Sequence, residues 1–275
     1  MHTQQAIHSA RQLFPRGLQQ PEGSLRFGAD ALLLAAYAAR HVEGMNGAGR
    51  NRLVAAELGC GCGAALLGLA LRCPGITGLG LERELPLVQA AAANAQLLGL
   101  ADRLHFAQAD LAASTFLSAL PGTLVGKAAN LDLVLANPPY GVEGRPSTSQ
   151  MRERALRGTQ DKQDRKDVLH VFCRAAATLL RHQGHFFCIY DALALPQLCG
   201  ALDAAGFGLR GVLPVRTHAS KPALRVLVLA RKNTAHQTAL EAPLTLHTRQ
   251  TTAGKGRSCA PRWSAQALRF CSWLG

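Results

Sequence analysis

The sequence contains few aromatic residues, few acidic residues and no long apolar run. Aromatic side chains make up only 5% of the 275 residues, so aliphatic side chains, within a hydrophobic content of 48%, must fill the core. The longest apolar candidate, residues 31–39, is far shorter than the ~20 residues of a membrane-spanning helix. The chain does not open on a basic segment followed by an apolar one, so we expect no secretory signal and predict a cytoplasmic location.

The cysteine pattern argues against a structural zinc site. Eight cysteines are present, but none forms a Cys-x-x-Cys unit and no neighbouring histidines complete a ligand set. We therefore predict that all eight are free, reduced thiols, as is usual in cytosolic proteins, and that no metal is bound.

Acidic residues are also scarce relative to basic ones. The chain has 17 Asp and Glu against 30 Lys and Arg, a formal net charge of +13. A field of this size attracts and steers polyphosphates, and an enzyme of small neutral metabolites has little use for it. A general arginine bias that favours solubility is the alternative. The composition thus favours a nucleic-acid partner.

From residue 51 onward, strand-like segments alternate with helix-like segments along the sequence. This alternation is typical of a parallel sheet covered by helices on both faces. A polar start precedes them, followed by a helix to about Arg40 and a Gly/Asn-rich turn. The predicted strands are 53–58, 76–81, 104–109, 131–136, 185–190, 208–213 and 224–230. No helix separates the last two strands, so they should pair antiparallel. We predict an α/β, Rossmann-like fold with a seven-stranded, mostly parallel sheet whose last strand is antiparallel.

The chain divides into three parts on the same evidence. Residues 1–50 form an N-terminal segment that contributes to the ligand site, and residues 51–232 form the main domain. Residues 233–275 form a basic C-terminal extension, with a small strand and a helix over 263–274, packed on that domain. A polar insertion is predicted from Gly141 to about Lys166.

A glycine-rich turn follows the first predicted strand, in Glu57-Leu58-Gly59-Cys60-Gly61-Cys62-Gly63. Alternate glycines allow a sharp turn against which a ligand can lie, although any tight strand-to-helix turn can use them. The spacing differs from the Gly-x-Gly-x-x-Gly of pyrophosphate sites. The acid at Glu57 favours a cationic ligand group, such as the ammonium of S-adenosylmethionine (SAM).

Two more acids stand at the ends of the next predicted strands. Glu82 is placed to accept hydrogen bonds from both ribose hydroxyls of a nucleoside, and Asp110 from an adenine amino group. Each has a simpler alternative, since an acid can pair with a helix N-terminus or cap it. Three acids at three successive strand ends favour the nucleoside ligand.

The tetrapeptide Asn137-Pro138-Pro139-Tyr140 follows strand 131–136, at the sheet edge where open α/β folds place their chemistry. Two consecutive prolines cannot continue a buried strand, and they make the backbone rigid. A plain proline turn is the alternative to a catalytic one.

The chemistry that this tetrapeptide can perform is specific. An adenine amino group or an amide nitrogen is a poor nucleophile, because its lone pair is delocalised. If the Asn137 side-chain oxygen and the Pro138 carbonyl accept its two N–H hydrogens, the lone pair is left pointing at a sulfonium methyl group. Tyr140 offers a face for ring stacking, worth ~1–3 kcal/mol per base. We predict Asn137, Pro138, Pro139 and Tyr140 as the catalytic residues.

These motifs together resemble the class I, Rossmann-like N-methyltransferases with an Asn-Pro-Pro-Tyr motif. Two further segments, Arg26–Leu34 and Pro222–Leu227, are similar to those of the bacterial tRNA1(Val) (adenine-37-N6)-methyltransferase family, as is the tail from Pro243. The resemblance implies SAM as the methyl donor and an adenine N6 in tRNA as the acceptor. The implied cofactor-binding residues are Arg26, Asp30, Glu57, Gly59, Gly61, Gly63, Glu82, Asp110 and Asn137.

The sequence also departs from that family. Ala29 stands where the family often has Thr, Tyr190-Asp191 replaces a common Leu-Pro, and the tail is far more basic. These differences leave the RNA target open.

Basic residues after the tetrapeptide are candidates to hold an RNA backbone around an extruded base. We assign this role to Arg145, Arg152, Arg154, Arg157 and Lys221, with His218 and Arg225 as candidates for the same surface. A solvated loop is the alternative for residues 145–166.

Three other functions remain open. A release-factor glutamine methyltransferase shares the tetrapeptide, but usually carries a helical domain ahead of the glycine turn, where this chain has about fifty residues. A methyltransferase of DNA or rRNA amino groups is the second, and a non-catalytic RNA-binding relative the third. Intact Asn137 and Tyr140 speak against the last.

Overall fold

The computed structural model describes residues 3–46, 52–113, 116–117, 130–140, 162–248 and 262–275. Most of the predicted polar insertion lies outside these ranges. So do four of the predicted RNA contacts, Arg145, Arg152, Arg154 and Arg157, and the cysteine at 259.

A single mixed sheet of nine strands organises the described residues, in the order β3-β2-β1-β4-β5-β7-β6 with β8 and β9 both pairing with β6. The strands are β1 Leu53–Leu58, β2 Ile76–Glu82, β3 Leu104–Gln108, β4 Leu131–Ala136, β5 Leu180–Asp191, β6 Phe207–Arg216, β7 Arg225–Lys232, β8 Ala239–Leu240 and β9 Leu244–Thr245.

The predicted fold class is confirmed. Strands β1 to β5 pair in parallel, and β7 is antiparallel to both of its neighbours, β5 and β6. The sheet exceeds the predicted seven strands because β8 and β9 join it at β6. Strand β9 lies in the small strand predicted in the C-terminal extension, whereas β8 has two residues, too few for any alternation of apolar and polar side chains to show. Strand β5 begins at Leu180, before the predicted 185, and its pairing with β4 shifts register between Leu131 and Leu133.

Helices cover both faces of the sheet. They are α1 Gln4–Leu13, α2 Ala29–Asn46, α3 Ala64–Arg72, α4 Leu85–Leu97, α5 Lys162–Leu179, α6 Leu195–Ala204 and α7 Ala265–Phe270. One core layer joins α2, α3 and the C-terminal segment to the sheet, and the other joins α5 and α6 to it. The alternating strand and helix segments thus produce the three-layer arrangement that the sequence predicted.

Two helical segments differ from the prediction near the N-terminus. Helix α1 was not predicted, because it is polar and buries none of its own residues. Its first turn is capped by the Thr3 hydroxyl, which accepts from Ala6 N at 3.2 Å, and Arg11 docks it by donating to Leu98 O at 2.8 Å. Helix α2 continues through Asn46, into the segment predicted as a turn.

The C-terminal segment packs against α2 and α3. The Trp273 ring meets Phe14 edge-on at 5.0 Å, and the Cys271 thiol donates to Leu32 O at 3.6 Å. Cys271 is fully buried. These contacts hold residues 271–273 of the basic tail against the N-terminal segment.

Three further observations concern membrane-spanning helices, thiols and metal-binding groups. Among the described ranges, no helix is long and apolar enough to cross a membrane. The cysteines that the structure describes are free thiols, most of them buried. In that same part of the chain, no group of three or more His, Cys, Asp or Glu side chains is arranged to hold a metal ion.

Candidate active site

A cavity of about 630 Å³ opens at the carboxyl ends of β1, β2, β3 and β4. The segment before α2, part of α5 and the first residue of β7 complete its wall. The predicted site residues that line it are Arg26, Asp30, Glu57, Gly59, Gly61, Glu82, Asp110, Asn137, Pro138, Pro139 and Tyr140. Gly63 and Lys221 do not line it.

The glycine turn after β1 owes its shape to three left-handed residues. Gly59, Gly61 and Gly63 have φ angles of 61°, 56° and 86°, a region that residues with a Cβ rarely adopt. A Cβ added to Gly61 would meet no atom within 4 Å, so this backbone is open to a ligand. Gly63 instead caps α3, and a Cβ added to it would lie only 3.1 Å from the Phe106 ring. Its role is to hold the turn in place.

The two cysteines of this turn line the cavity but are not nucleophiles. Burial is the main cause that raises the pKa of Cys62 to about 12, and it raises the pKa of Cys60 well above the usual range. Both thiols are therefore protonated near neutral pH and act as small apolar wall residues.

Glu57 sits at the base of the cavity with 3% of its surface exposed. Its Oε2 accepts from Leu66 N, in the first turns of α3, at 2.8 Å. Burial raises the pKa of Glu57 to about 8; the hydrogen bond from Leu66 opposes this shift and the charge of Glu82 adds to it. A cationic ligand group near this carboxyl would favour its ionised form.

Glu82 connects the turns that follow β1 and β2. Its Oε2 accepts from Gly61 N at 2.9 Å, and its Oε1 accepts from Arg83 N at 2.8 Å and Glu84 N at 3.0 Å. A carboxylate offers about four acceptor positions, so three are used within the protein. Two ribose hydroxyls would have to share the remaining capacity. The side chain thus shapes the glycine turn as well as the cavity wall.

Asp110 closes the turn after β3. It is exposed, lines the cavity, and accepts from Ala112 N at 3.0 Å through Oδ1. The turn-closing role that the sequence offered as an alternative is therefore present together with a position in the wall.

A buried asparagine that sequence reasoning missed ties the N-terminal segment to the glycine turn. The fully buried Asn94 donates through Nδ2 to Gln19 O and to Cys62 O, both at 3.0 Å, and accepts from Gln19 N at 2.7 Å. Every strong hydrogen-bonding group of a buried amide needs such a partner. The available signal was an asparagine within the alanine-rich sequence of α4.

The tetrapeptide lies where fully buried β4 ends. The Tyr140 hydroxyl oxygen is 2.5 Å from Asn137 Oδ1 and 3.0 Å from Asp30 Oδ2. Burial raises the pKa of Tyr140 well above its usual range, the charge of Asp30 adds to this, and Arg225 opposes it. The family resemblance implies that Asp30 binds the cofactor. In the structure its carboxylate also contacts the hydroxyl of Tyr140, a predicted catalytic residue.

Arg225, a candidate for the RNA-binding surface, lines the cavity beside the tetrapeptide. Its Nε donates to Asp30 Oδ2 at 3.0 Å, and its guanidinium carbon lies 4.2 Å from the centre of the Tyr140 ring. Tyr190 meets the same ring edge-on at 5.5 Å. Arg225 occupies one face of Tyr140, so the predicted base stacking has only the other face. The signal in the sequence was the arginine of the Pro222–Leu227 segment.

Lys221 is exposed in the turn between β6 and β7, outside the cavity wall. The C-terminal segment runs beside this turn, with His247 N donating to Thr217 O at 2.8 Å and the Trp263 ring 4.6 Å from His247. We call Lys221, His218, His247, Arg262 and Trp263 the tail surface. It lies beyond the carboxyl end of β6, at the same edge of the sheet as the cavity.

Comparison with known proteins agrees with this geometry at the level of the fold. No protein-family model matches the chain. A solved structure of a predicted O-methyltransferase from Agrobacterium tumefaciens matches with a TM-score of 0.61 at 18% identity, over 88% of this chain and 95% of that one. A proposed RNA methyltransferase from Pyrococcus horikoshii matches with a TM-score of 0.51 at 16% identity, over 84% and 99%. The chain has the Rossmann-like methyltransferase fold.

A more similar but shorter match comes from curated sequences. Over 85 residues the chain is 40% identical to the release factor glutamine methyltransferase of Bradyrhizobium diazoefficiens. This match covers 31% of this chain and 25% of the relative. The chain thus aligns with about a quarter of the length of the curated relatives it matches.

Proposed function

We propose that the chain is a SAM-dependent N-methyltransferase that modifies the N6 amino group of adenine in RNA, with tRNA as the substrate. The observation that supports this most strongly is the position of Asn137 to Tyr140, in the wall of the same cavity as the glycine turn. The residues proposed to bind the nucleoside and the residues proposed to accept the planar amino group thus line one cavity.

The cavity fits SAM by the chemistry of its wall. The open backbone at Gly61 admits close contact with a ligand, and Glu57, Glu82 and Asp110 offer carboxylates along the same wall. In the proposed arrangement Glu57 lies nearest the ammonium, Glu82 the ribose and Asp110 the adenine. SAM, when bound, supplies a methyl group activated by its sulfonium.

The residues of the tetrapeptide act on the acceptor nitrogen. Oxygen acceptors at Asn137 and Pro138 bind its two N–H hydrogens and stabilise the positive charge that develops there, so no strong base is required before attack. The rigid Pro138-Pro139 backbone keeps these acceptors in place without reorganisation. In this proposal the Tyr140 face opposite Arg225 stacks on the target ring.

Charge and topology support RNA as the partner. The net charge of +13 favours a polyphosphate. The tail surface adds exposed Lys221 and Arg262 at the carboxyl edge of β6, and the order β4-β5-β7-β6 puts this strand about 14 Å from the tetrapeptide strand. In this proposal an RNA whose target base enters the cavity contacts the tail surface through its phosphate backbone. Arg145, Arg152, Arg154 and Arg157 remain proposed RNA contacts.

The second candidate is methylation of a glutamine amide in a release factor. The 85-residue match to a release factor glutamine methyltransferase favours it. A glutamine amide presents the same planar nitrogen, so the chemistry of Asn137 does not separate the two acceptors.

Methyl transfer from labelled SAM to a panel of acceptors tests the proposal. Unmodified tRNA, rRNA, DNA and release factor should each be incubated with the wild-type protein and with Asn137→Ala as the control. We expect wild-type label in tRNA, recovered as N6-methyladenine. Label in release factor instead would establish the second candidate, and no transfer to any acceptor would overturn both.

A further inference from the structure

We propose that Asp30 is a positioning residue, which sets the orientation of the Asn137 amide through the Tyr140 hydroxyl. This inference rests on the proposed function and deepens it, because it identifies what aims the acceptor oxygen at the target amine. Asp30 lies at the start of α2 and is thus brought to the tetrapeptide from 110 residues away along the chain.

The argument begins with the number of hydrogens available. The Tyr140 hydroxyl has one hydrogen but stands within hydrogen-bond distance of two side-chain oxygens, Asp30 Oδ2 at 3.0 Å and Asn137 Oδ1 at 2.5 Å. A carboxylate is an acceptor only, and an amide oxygen is an acceptor only. One hydrogen cannot satisfy both contacts.

Of the two acceptors, the Asp30 carboxylate forms the stronger hydrogen bond with the Tyr140 hydroxyl. Hydrogen bonds to an ionised group are roughly twice as strong as neutral ones. Arg225 donates to the same Asp30 oxygen at 3.0 Å and holds that side chain in place. The Tyr140 hydroxyl therefore donates to Asp30, and its oxygen is left as an acceptor toward Asn137.

That assignment determines the orientation of the Asn137 side-chain amide. If the Tyr140 oxygen accepts, the Asn137 group that faces it must be the Nδ2 amide, which a half-turn of the planar amide brings to the same position. Oδ1 then points to the other side, toward the methyl-acceptor nitrogen. Without Asp30, the tyrosine hydrogen is free to bind Asn137 Oδ1 and to withdraw it from the reaction.

The alternative role for Asp30 is a direct contact with SAM, as the family resemblance implies. The two roles predict different effects of replacing Asp30 on cofactor affinity and on turnover. A SAM ligand contributes to cofactor affinity, whereas a positioning residue for Asn137 contributes to turnover and leaves cofactor affinity nearly unchanged.

The test uses four purified proteins: the wild type, Asp30→Ala, Tyr140→Phe and the double variant. We expect Asp30→Ala to lower kcat with tRNA by roughly tenfold or more, while its Kd for SAM, measured by calorimetry, stays within about twofold. The double variant should be no slower than Tyr140→Phe, because Asp30 acts through the hydroxyl that this change removes. Asp30→Asn, which keeps an acceptor oxygen, should restore part of the rate.

A weakened Kd with normal kcat would show a cofactor contact, and additive losses in the double variant would show independent roles; either overturns the inference. NMR of the Asn137 side-chain amide distinguishes failure of this inference from failure of the proposed function. The Asn137 amide protons, identified by NMR through their loss in Asn137→Ala, should shift in both Asp30→Ala and Tyr140→Phe even if tRNA is not the substrate. Unchanged resonances would contradict the proposed orientation.

Discussion

The cofactor half and the acceptor half of the cavity are held together in different ways. In the cofactor half, Glu57, Glu82 and Asp110 accept from backbone N–H groups 9, 21 and 2 residues away along the chain. In the acceptor half, side chains bond to side chains over much longer distances, 110 residues from Tyr140 to Asp30 and 195 from Arg225 to Asp30.

This difference has a physical consequence. A carboxylate that binds neighbouring backbone amides is positioned as soon as its strand and turn form. A network of side chains from α2, β4 and β7 is complete only when the whole sheet has assembled. We therefore expect changes in the cofactor half to alter ligand binding and stability, and changes in the acceptor half to alter turnover.

The largest effect should come from Asn137→Ala. Loss of one acceptor that stabilises developing charge typically costs about 10²–10³ in kcat, so turnover should fall by at least that much. SAM affinity should remain nearly intact, because this side chain is bonded within the acceptor half. Single-turnover kinetics and calorimetry on the same preparation measure both quantities. A variant with near-normal kcat would remove Asn137 from the chemistry.

Glu82→Ala should show the opposite pattern. It removes the charged acceptor for the ribose and also the carboxylate that binds Gly61, Arg83 and Glu84 N–H groups. We expect SAM affinity to fall by an order of magnitude or more, since each charge-assisted bond is worth about 1.5–3 kcal/mol. The matched control is Glu22→Ala, which deletes an exposed carboxylate elsewhere in the chain. Equal affinities in both variants would exclude Glu82 from the cofactor site.

Glu57→Gln should change the pH dependence of stability. The pKa of Glu57 is raised from 4.5 to about 8 in the folded protein, mainly by burial, so the native state binds this proton more tightly than the unfolded chain. Its contribution is fully present below the unfolded value and is lost as pH rises from about 4.5 to about 8. One such proton corresponds to about 1.4 kcal/mol per pH unit.

Thermal unfolding at pH 5, 6, 7 and 8 measures this difference. The Tm of Glu57→Gln relative to the wild type should rise by a few degrees per pH unit across the window. Parallel Tm curves for the two proteins would show that Glu57 does not titrate there.

The smallest effect should be on RNA binding. Replacing Lys221 and Arg262 of the tail surface by Ala should make the slope of log K against log salt less steep by about 0.7–0.9 per charge. Arg174→Ala, an exposed arginine on α5, serves as the control and should leave the slope unchanged. If the control and the double variant behave alike, the tail surface does not contact RNA.

The same contrast explains what sequence analysis could predict. Strands 53–58 and 131–136 were predicted to the residue, and the glycine turn and the acids at strand ends were identified, because each depends on local pattern. The contacts of Asp30 and Arg225 with Tyr140 could not be predicted, since the order of the strands brings these three residues together. Asn94 was missed because helix periodicity does not reveal which polar side chain is buried.

The central claim is that the tetrapeptide site methylates adenine N6 in tRNA, and nucleoside mass spectrometry of tRNA from a deletion strain tests it most directly. We predict that N6-methyladenine is lost from this tRNA, returns with the wild-type gene, and does not return with Asn137→Ala. Unchanged tRNA N6-methyladenine, together with loss of N6-methyladenine from rRNA or of methylglutamine from release factor, would contradict the claim.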